Sequence, residues 1–284
     1  MCGIVAFKGN KEKTSEVIFE GLKLLEYRGY DSCGIGVIDN NEIKSFKWKG
    51  RVQKTEERFI ESKIKSPIAI GHTRWATHGE PNDVNSHPIT SFNKKFAIVH
   101  NGIIENYREL KKILLEKGYE FYTETDTEVL VNFLELCVSN AKNIDKGISY
   151  ALSKLEGAFG IVLIQSSNTD IMYAARKGSP LAFGRKGDNF FIASDATPII
   201  EYTKKIIYLD NGQLLKINKS SFEVLDFDLN KVPKKFQEVD VELQKVELGD
   251  FDSYMLKEIM EQPESLNQTM LGRIKNNKIT LGGI

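Results

Sequence analysis

The second residue of the chain is a cysteine, within the opening sequence Met1-Cys2-Gly3. A small residue at position 2 permits removal of Met1, which would leave Cys2 with a thiol and a free α-amine. These groups ordinarily titrate near ~8.5 and ~8, so part of the amine is neutral at cellular pH and is able to take the thiol proton. A Met-Cys start on its own is more typical of a small hydrophobic residue beginning an edge strand. The remaining motifs must therefore decide between a nucleophile and a packing residue.

A dense group of polar side chains lies at residues 71–79, Gly-His-Thr-Arg-Trp-Ala-Thr-His-Gly, at the end of a short strand predicted at residues 68–72. The planar guanidinium of Arg74 suits a carboxylate, because it donates two parallel hydrogen bonds; a surface salt bridge is the alternative. His72 and His78 are six residues apart, lack the i, i+4 spacing of a helical zinc pair and have no carboxylate beside them. We expect no metal site and no cofactor.

The pair Asn101-Gly102 follows a second short apolar run, at residues 96–100. Asn-Gly often forms a hairpin turn, but the pattern here predicts a following helix rather than a partner strand. An asparagine amide and a glycine N–H would together supply the two donors of an oxyanion hole.

Asp126 lies in the acidic segment Glu-Thr-Asp-Thr-Glu at residues 124–128. Thr125 and Glu128 have the spacing of a capping box at the start of a helix, where acidic residues are favourable in any case. The functional alternative is that Asp126 holds an ammonium group of a ligand.

Composition narrows the class of protein. The chain has 284 residues, 41% of them hydrophobic, and equal totals of basic and acidic residues, 39 each. This balance gives no indication of nucleic-acid or membrane binding, and no segment approaches the ~18 apolar residues of a membrane span. The opening residues do not have the pattern of a secretory signal. Three cysteines without metal-ligand spacing indicate reduced thiols, as in a cytoplasmic protein.

The order of the predicted elements favours an α+β fold. An apolar strand is predicted at residues 2–7, and helices lie between short strands in the first half of the chain. Residues 158–227 contain many short apolar runs separated by turn residues, which indicates an extensive antiparallel sheet system. The charged, weakly patterned segment after residue 230 reads as a linker. We therefore expect one domain at 2–240 and a connecting segment at 241–284.

Taken together, these motifs resemble the class II glutamine amidotransferases, a branch of the N-terminal-nucleophile hydrolases. The resemblance covers nearly the whole chain and rests on Cys2-Gly3-Ile4-Val5 and on residues 25–32, 71–81, 100–106, 123–127, 194–195 and 255–259. It implies a four-layer αββα sandwich of two antiparallel sheets. It also implies that Cys2 attacks the side-chain amide of L-glutamine, forming a glutamyl thioester that water hydrolyses to glutamate after ammonia has left. Asn101 and Gly102 are then the oxyanion hole.

The same resemblance implies roles for the residues around the nucleophile. Arg74 would bind the α-carboxylate of glutamine and Asp126 its α-ammonium group. Thr77 and His78 would line the pocket. Trp75 would gate the passage of ammonia toward a second domain, with an ordinary packing role as the alternative.

The residues of two motifs distinguish branches of this family. Tyr-Arg-Gly-Tyr-Asp-Ser at residues 27–32 and Met-Leu-Lys-Glu-Ile at 255–259 favour the branch that passes ammonia to fructose-6-phosphate over amidophosphoribosyltransferases and asparagine synthetases. The resemblance then implies a C-terminal isomerase domain as partner, absent from this chain, and a homo-oligomeric complete enzyme. A non-catalytic module on the same fold is a further hypothesis, which the joint presence of Cys2, Arg74, Asn101 and Asp126 disfavours.

Overall fold

In a computed structural model, the chain divides into two compact units, Met1–Val241 and Glu242–Ile284. No helix of the described residues is long and apolar enough to cross a membrane. The structure describes residues 2–76, 78–239, 251, 254–270, 274–275 and 278–279.

The first unit is built from short strands and helices. In chain order these are β1 (Gly3–Lys8), α1 (Thr14–Leu24), a 3-10 turn (Glu26–Arg28), β2 (Ser32–Asp39), β3 (Glu42–Lys49), α2 (Val52–Ser62), β4 (Ile68–Arg74), β5 (Ile89–Thr90), β6 (Phe96–Ile104), α3 (Tyr107–Glu116), α4 (Asp126–Asn140), α5 (Ile144–Ser153), β7 (Gly157–Gln165), β8 (Asn168–Lys177), β9 (Ala182–Lys186), β10 (Asn189–Ala193), α6 (Thr197–Ile200), β11 (Lys205–Tyr208), β12 (Gln213–Asn218), β13 (Ser221–Asp226) and β14 (Gln237–Glu238). The second unit contains α7 (Tyr254–Met270) and a pair of two-residue strands, β15 (Ile274–Lys275) and β16 (Lys278–Ile279).

The strands of the first unit form two antiparallel sheets. The eight-stranded sheet, called sheet A, has the order β14-β11-β9-β10-β1-β4-β2-β3. The six-stranded sheet, called sheet B, has the order β13-β12-β8-β7-β6-β5. The nucleophile candidate Cys2 immediately precedes β1 in sheet A, whereas Asn101 and Gly102 belong to β6 in sheet B.

The alternation of side chains along β1 shows why the sheets stack with helices outside them. Successive side chains of a strand point to opposite faces. Ile4 and Ala6 enter a core between the two sheets, and Val5 and Phe7 enter a second core against α1. A third core joins sheet B to α3, α4 and α5. The order of layers is therefore helix, sheet, sheet, helix, and the α+β, αββα prediction is confirmed.

Two strands run further than the sequence pattern indicates. The apolar runs suggested ends at residues 72 and 100, but β4 continues through Arg74 and β6 through Ile104. Asn101 and Gly102 therefore do not follow the strand; they lie within it, paired with Gly160 and Phe159 of β7. The expectation was wrong because backbone pairing with a neighbour continues regardless of side-chain polarity, so a polar side chain does not end a strand.

The start of α4 places Asp126 at its first helical position. The side chain of Thr125 accepts a hydrogen bond from the backbone N–H of Glu128 at 3.2 Å, as predicted for an N-cap. In a full capping box the Glu128 carboxylate would accept the backbone N–H of Thr125, and here it has other partners. The Glu128 carboxylate accepts the backbone N–H groups of Tyr122 and Thr123, at 2.9 and 2.7 Å, and so holds the loop before the helix.

Candidate active site

Antiparallel pairing brings Cys2 beside the polar segment at the end of β4. Gly3 of β1 lies opposite Thr73 of β4, so Cys2 meets the residues that follow Thr73. The backbone N–H of Trp75 donates a hydrogen bond to the Cys2 sulfur at 3.2 Å, and the Trp75 carbonyl oxygen lies 3.5 Å from the same atom. The thiol is thereby held in one place by backbone groups, which do not depend on a side-chain rotamer.

The environment of Cys2 favours the neutral thiol. Burial raises the pKa of the thiol, and the Trp75 N–H and the positive charge of Arg74 offset this only in part. Because the reactive form of cysteine is the thiolate, a base must take the proton during reaction. This is the role that a free α-amine on the same residue would have; Met1, whose removal would expose that amine, lies outside the described residues.

Asn101 approaches Cys2 from the other sheet. Its side-chain nitrogen Nδ2 donates to the backbone carbonyl oxygen of Cys2 at 2.9 Å. The next residue, Gly102, has φ of +128°, and a Cβ atom built on it would lie 1.9 Å from the Ala158 carbonyl oxygen. Only glycine fits this backbone position. Both residues line the same cavity as Cys2.

Arg74 and Asp126 supply opposite charges to this cavity. The Arg74 guanidinium is buried and donates to the backbone carbonyls of Glu80 at 3.3 Å, of Gly79 at 3.2 Å and of His78. The Asp126 carboxylate, also buried, accepts the backbone N–H of Ile104 at 2.8 Å. A cation and an anion at fixed positions in one small cavity match the two charges of a free α-amino acid.

The cavity has a volume of about 310 Å³, the size expected of a small-molecule site. Of the predicted site residues, it brings together all but one of the eight; Thr77 lies outside the described residues. The lining comprises Cys2, Arg28, Arg74, Trp75, His78, His87, His100, Asn101, Gly102, Ile103, Thr125, Asp126, Thr127, Ser179 and Pro180.

Trp75 and His78 occupy the more open side of the site. Trp75 is 40% exposed, and its ring meets the ring of Tyr30 edge-on with centroids 5.7 Å apart. The ring of His78 is placed edge-on against Tyr107, also at 5.7 Å. Tyr30 belongs to the motif at residues 27–32, so this motif supplies the ring that packs against Trp75.

Sequence reasoning missed several lining residues, of which Arg28 had the clearest signal. Its guanidinium forms an ion pair with Asp195 at 2.5 Å. Asp195 also accepts the backbone N–H of Thr197, the first residue of the short helix α6, at 2.9 Å. Both residues lie in segments that carry the family resemblance, 25–32 and 194–195. Their pairing was not visible in the sequence because 167 positions separate them.

Three histidines form a buried group at the wall of the site, where His87 and His100 line the cavity. The rings of His72 and His87 are 4.3 Å apart, and His87 stacks on His100 at 6.5 Å. Burial lowers the pKa of all three and brings that of His72 to about 3. Each is therefore neutral at pH 7. No group of His, Cys, Asp or Glu in the described part of the chain has the geometry of a metal site.

These histidines predict an acid-sensitive fold. In the unfolded chain a histidine takes up its proton near pH ~6.5, whereas His72, His87 and His100 resist protonation in the folded state. Protonation therefore favours the unfolded state as the pH falls below that value. The free energy of unfolding should decrease by up to about 1.4 kcal/mol per pH unit for each histidine. Urea titrations at pH 7.5, 6.5, 5.5 and 5.0 measure this slope, and a constant free energy across the series would contradict it.

Comparison with known proteins defines the class. Residues 72–201 match the family model of a glutamine amidotransferase domain. The fold is similar to the glutamine phosphoribosylpyrophosphate amidotransferase of B. subtilis, with a TM-score of 0.69 and 28% identity over 81% of this chain and 50% of that one. The chain belongs to the glutamine amidotransferases of the N-terminal-nucleophile type.

Longer alignments relate the chain to one branch of this class. The chain is 43% identical over its whole length to the glutamine--fructose-6-phosphate aminotransferase (isomerizing) of Bacteroides thetaiotaomicron, of which it covers 47%. It is 42% identical to the protein of the same name from Chlorobaculum tepidum, again over 100% of this chain and 47% of that protein. It thus spans about half the length of the curated relatives it matches. These relatives favour the fructose-6-phosphate branch over the phosphoribosyl branch.

Proposed function

We propose that this chain hydrolyses L-glutamine to glutamate and ammonia through a thioester on Cys2. The observation that carries the proposal is the convergence of Cys2, Asn101, Arg74 and Asp126 on one cavity of amino-acid size. A thiol held by backbone groups, two candidate oxyanion donors and a pair of opposite charges are the parts that hydrolysis of an amino-acid amide requires.

The chemical steps follow from these positions. The α-amine of a processed Cys2 takes the thiol proton, and the sulfur attacks the side-chain carbonyl carbon of glutamine. The negative charge that develops on the oxygen is stabilised by Asn101 Nδ2–H and the Gly102 N–H. Collapse of the tetrahedral intermediate breaks the C–N bond, and the α-ammonium returns the proton to the departing ammonia. Water then attacks the thioester carbonyl carbon while the α-amine takes one of its protons. The second tetrahedral intermediate collapses with breakage of the C–S bond, which releases glutamate, and the α-ammonium returns the proton to the Cys2 thiolate.

Substrate orientation is assigned to Arg74 and Asp126. The guanidinium has five N–H donors, so it is able to bind a carboxylate while keeping bonds to the backbone carbonyls of residues 78–80. The Asp126 oxygen that accepts Ile104 N–H is fixed by that bond, which aims the carboxylate at one point in the cavity. His78 and Thr77 are proposed as further pocket residues, and Trp75 as the gate for ammonia.

The activity of the complete protein is a separate part of the proposal. In line with the names of the relatives, the ammonia would be passed to fructose-6-phosphate on a C-terminal isomerase domain, in the pathway that supplies amino sugars. Residues 2–240 would be the amidotransferase domain and 241–284 the connection, in a homo-oligomeric enzyme. A cytoplasmic location agrees with three free thiols, two of them buried.

Two measurements on the purified protein test the glutaminase proposal. Glutamate release from L-glutamine is assayed first, with removal of Met1 checked by intact mass. The protein is then treated with 6-diazo-5-oxo-norleucine, an electrophile shaped like glutamine. A processed protein should turn over glutamine and take one adduct that maps to Cys2. A processed, folded protein that does neither would refute the proposal.

Replacing Arg74 with lysine should weaken glutamine binding with less effect on chemistry. The ammonium of lysine is a point charge and does not reproduce the two-pronged carboxylate contact of a guanidinium. We expect KM for glutamine to rise about 10- to 100-fold, since a charged hydrogen bond is worth about 1.5–3 kcal/mol. Steady-state kinetics measure KM and kcat. Arg51→Lys is the control, because Arg51 is 72% exposed and pairs with Glu26 at 3.6 Å, away from the cavity lining. An unchanged KM for the Arg74 variant would remove Arg74 from the binding site.

A further inference from the structure

The buried His72 makes a hydrogen bond that joins the two sheets at the site. Its ring nitrogen Nε2 lies 3.0 Å from Asn101 Oδ1 and 3.1 Å from the His100 carbonyl oxygen. His72 belongs to β4 of sheet A, whereas Asn101 and His100 belong to β6 of sheet B. Cys2 also belongs with sheet A, through β1. The His72 contact therefore ties the sheet that carries the nucleophile to the sheet that carries the oxyanion donors.

The partners of His72 determine which ring nitrogen carries the proton. Both groups facing Nε2 are oxygen acceptors, so Nε2 must be the donor. Nδ1 has no hydrogen-bonding partner among the described residues. An unpaired lone pair there is less costly than an unpaired N–H, which again favours a neutral ring protonated at Nε2. The pKa of about 3, lowered by burial, keeps the ring neutral throughout the working pH range.

This tautomer fixes the orientation of the Asn101 amide. Asn101 Oδ1 accepts from His72, and Asn101 Nδ2 donates to the Cys2 carbonyl oxygen at 2.9 Å. If the amide were rotated by half a turn, its nitrogen would face the His72 N–H and its oxygen would face the Cys2 carbonyl. A buried donor would then face a donor, and a buried acceptor would face an acceptor, so both hydrogen bonds would be lost.

We propose that His72 is a positioning residue for glutamine hydrolysis, holding the Asn101 amide so that its Nδ2 donors face Cys2. The inference rests on the proposed glutaminase function and adds a residue that touches neither the substrate nor the sulfur. An oxyanion donor accelerates the reaction only if it is oriented before charge develops. His72 is well placed to supply that order, because it lies inside a central strand, opposite Ile4 of β1 and Gly34 of β2.

The matched variants are His72→Gln and His72→Asn. A glutamine amide nitrogen reaches about as far as Nε2 of histidine, so it is able to donate to Asn101 Oδ1. An asparagine amide reaches only as far as Nδ1 and leaves Oδ1 without its donor. Both variants place a neutral amide in the same space. We expect kcat for His72→Asn to fall about 10- to 100-fold, less than the about 10²- to 10³-fold cost of removing an oxyanion donor outright. The Gln variant should keep kcat within about fivefold, and KM should stay near the parent value in both.

Two further readouts separate positioning from a general loss of structure. Alkylation of Cys2 by iodoacetamide needs no oxyanion hole, so its rate should be unchanged in both variants. In an Asn101→Ala background, His72→Asn should cost nothing more, because the group through which it acts is gone. Equal losses in the Gln and Asn variants, or a further multiplied loss in the Asn101→Ala background, would overturn the inference.

The activity of the parent protein distinguishes a wrong function from a wrong role for His72. If the processed parent protein does not hydrolyse glutamine, the proposed function is wrong. If the parent is active and His72→Asn retains full kcat, only the role of His72 is wrong. Should the Asn variant fail to fold, the Gln variant still decides: a folded His72→Gln protein with kcat more than tenfold below the parent would overturn the role.

Discussion

Replacing Cys2 with alanine is expected to reduce glutamine hydrolysis by at least about 10³-fold, because the nucleophile of a covalent mechanism has no substitute in the site. The fold should be unaffected. Cys2 is half-buried, and among the described residues its sulfur exchanges hydrogen bonds with the Trp75 backbone alone. Glutamate release and the thermal unfolding midpoint, measured on the same preparation, check both halves of this prediction.

The control for this substitution is a second cysteine. Cys33 is buried beside Thr55, with Sγ and Oγ1 2.8 Å apart, and burial raises its pKa to about 12. It is therefore unreactive at neutral pH, and Cys33→Ala should keep full kcat even if its stability falls slightly. Activity retained by Cys2→Ala, or lost with a folded Cys33→Ala, would contradict the assignment of the nucleophile.

Replacing Gly102 with alanine should have the second-largest effect, on both stability and activity. The added methyl would lie 1.9 Å from the Ala158 carbonyl oxygen and 2.8 Å from the Ala158 carbonyl carbon, so β6 and β7 must separate locally. The φ of +128° adds backbone strain of about 1–3 kcal/mol for any other residue. We expect the free energy of unfolding to fall by several kcal/mol and kcat to fall about 100-fold or more, since the Gly102 N–H would leave its place.

The variant Gly118→Ala separates the effect of the steric clash with Ala158 from the effect of backbone strain at a positive φ. Gly118 also has positive φ, +82°, but a Cβ atom there would meet no heavy atom within 4 Å. This variant should lose only about 1 kcal/mol of stability and no activity. Urea denaturation and steady-state kinetics on both variants give the comparison. Equal destabilisation at the two glycines would show that the close approach of Ala158 does not constrain Gly102.

Much of the fold was predictable because it depends on local periodicity. The apolar run at residues 2–7 already marks a buried strand, and the spacing of Thr125 and Glu128 already marks the start of α4. The four-layer arrangement was implied by the motif resemblance and not by any local pattern. The ends of β4 and β6 were not predictable in this way. Both strands continue through polar residues, Thr73 and Arg74 in β4 and Asn101 in β6, and only the register with neighbouring strands shows that these residues remain extended.

The candidate site was likewise predictable in part. Residue types and motif order pointed to Cys2, Arg74, Asn101 and Asp126, since thiol, guanidinium, amide and carboxylate each have a limited range of chemistry. The motif resemblance then indicated which role each would have. Thr77 remains a prediction from the motif, because it lies outside the described residues.

The sequence by itself determined the chemical inventory of this protein and the short apolar runs that form its strands. Only the tertiary structure decided which groups meet. The ion pair of Arg28 with Asp195 joins residues 167 positions apart, and the contact of His72 with Asn101 crosses from one sheet to the other. Both depend on strand order and on the stacking of the two sheets. These are set by packing of the whole core, and no local pattern in the chain records them.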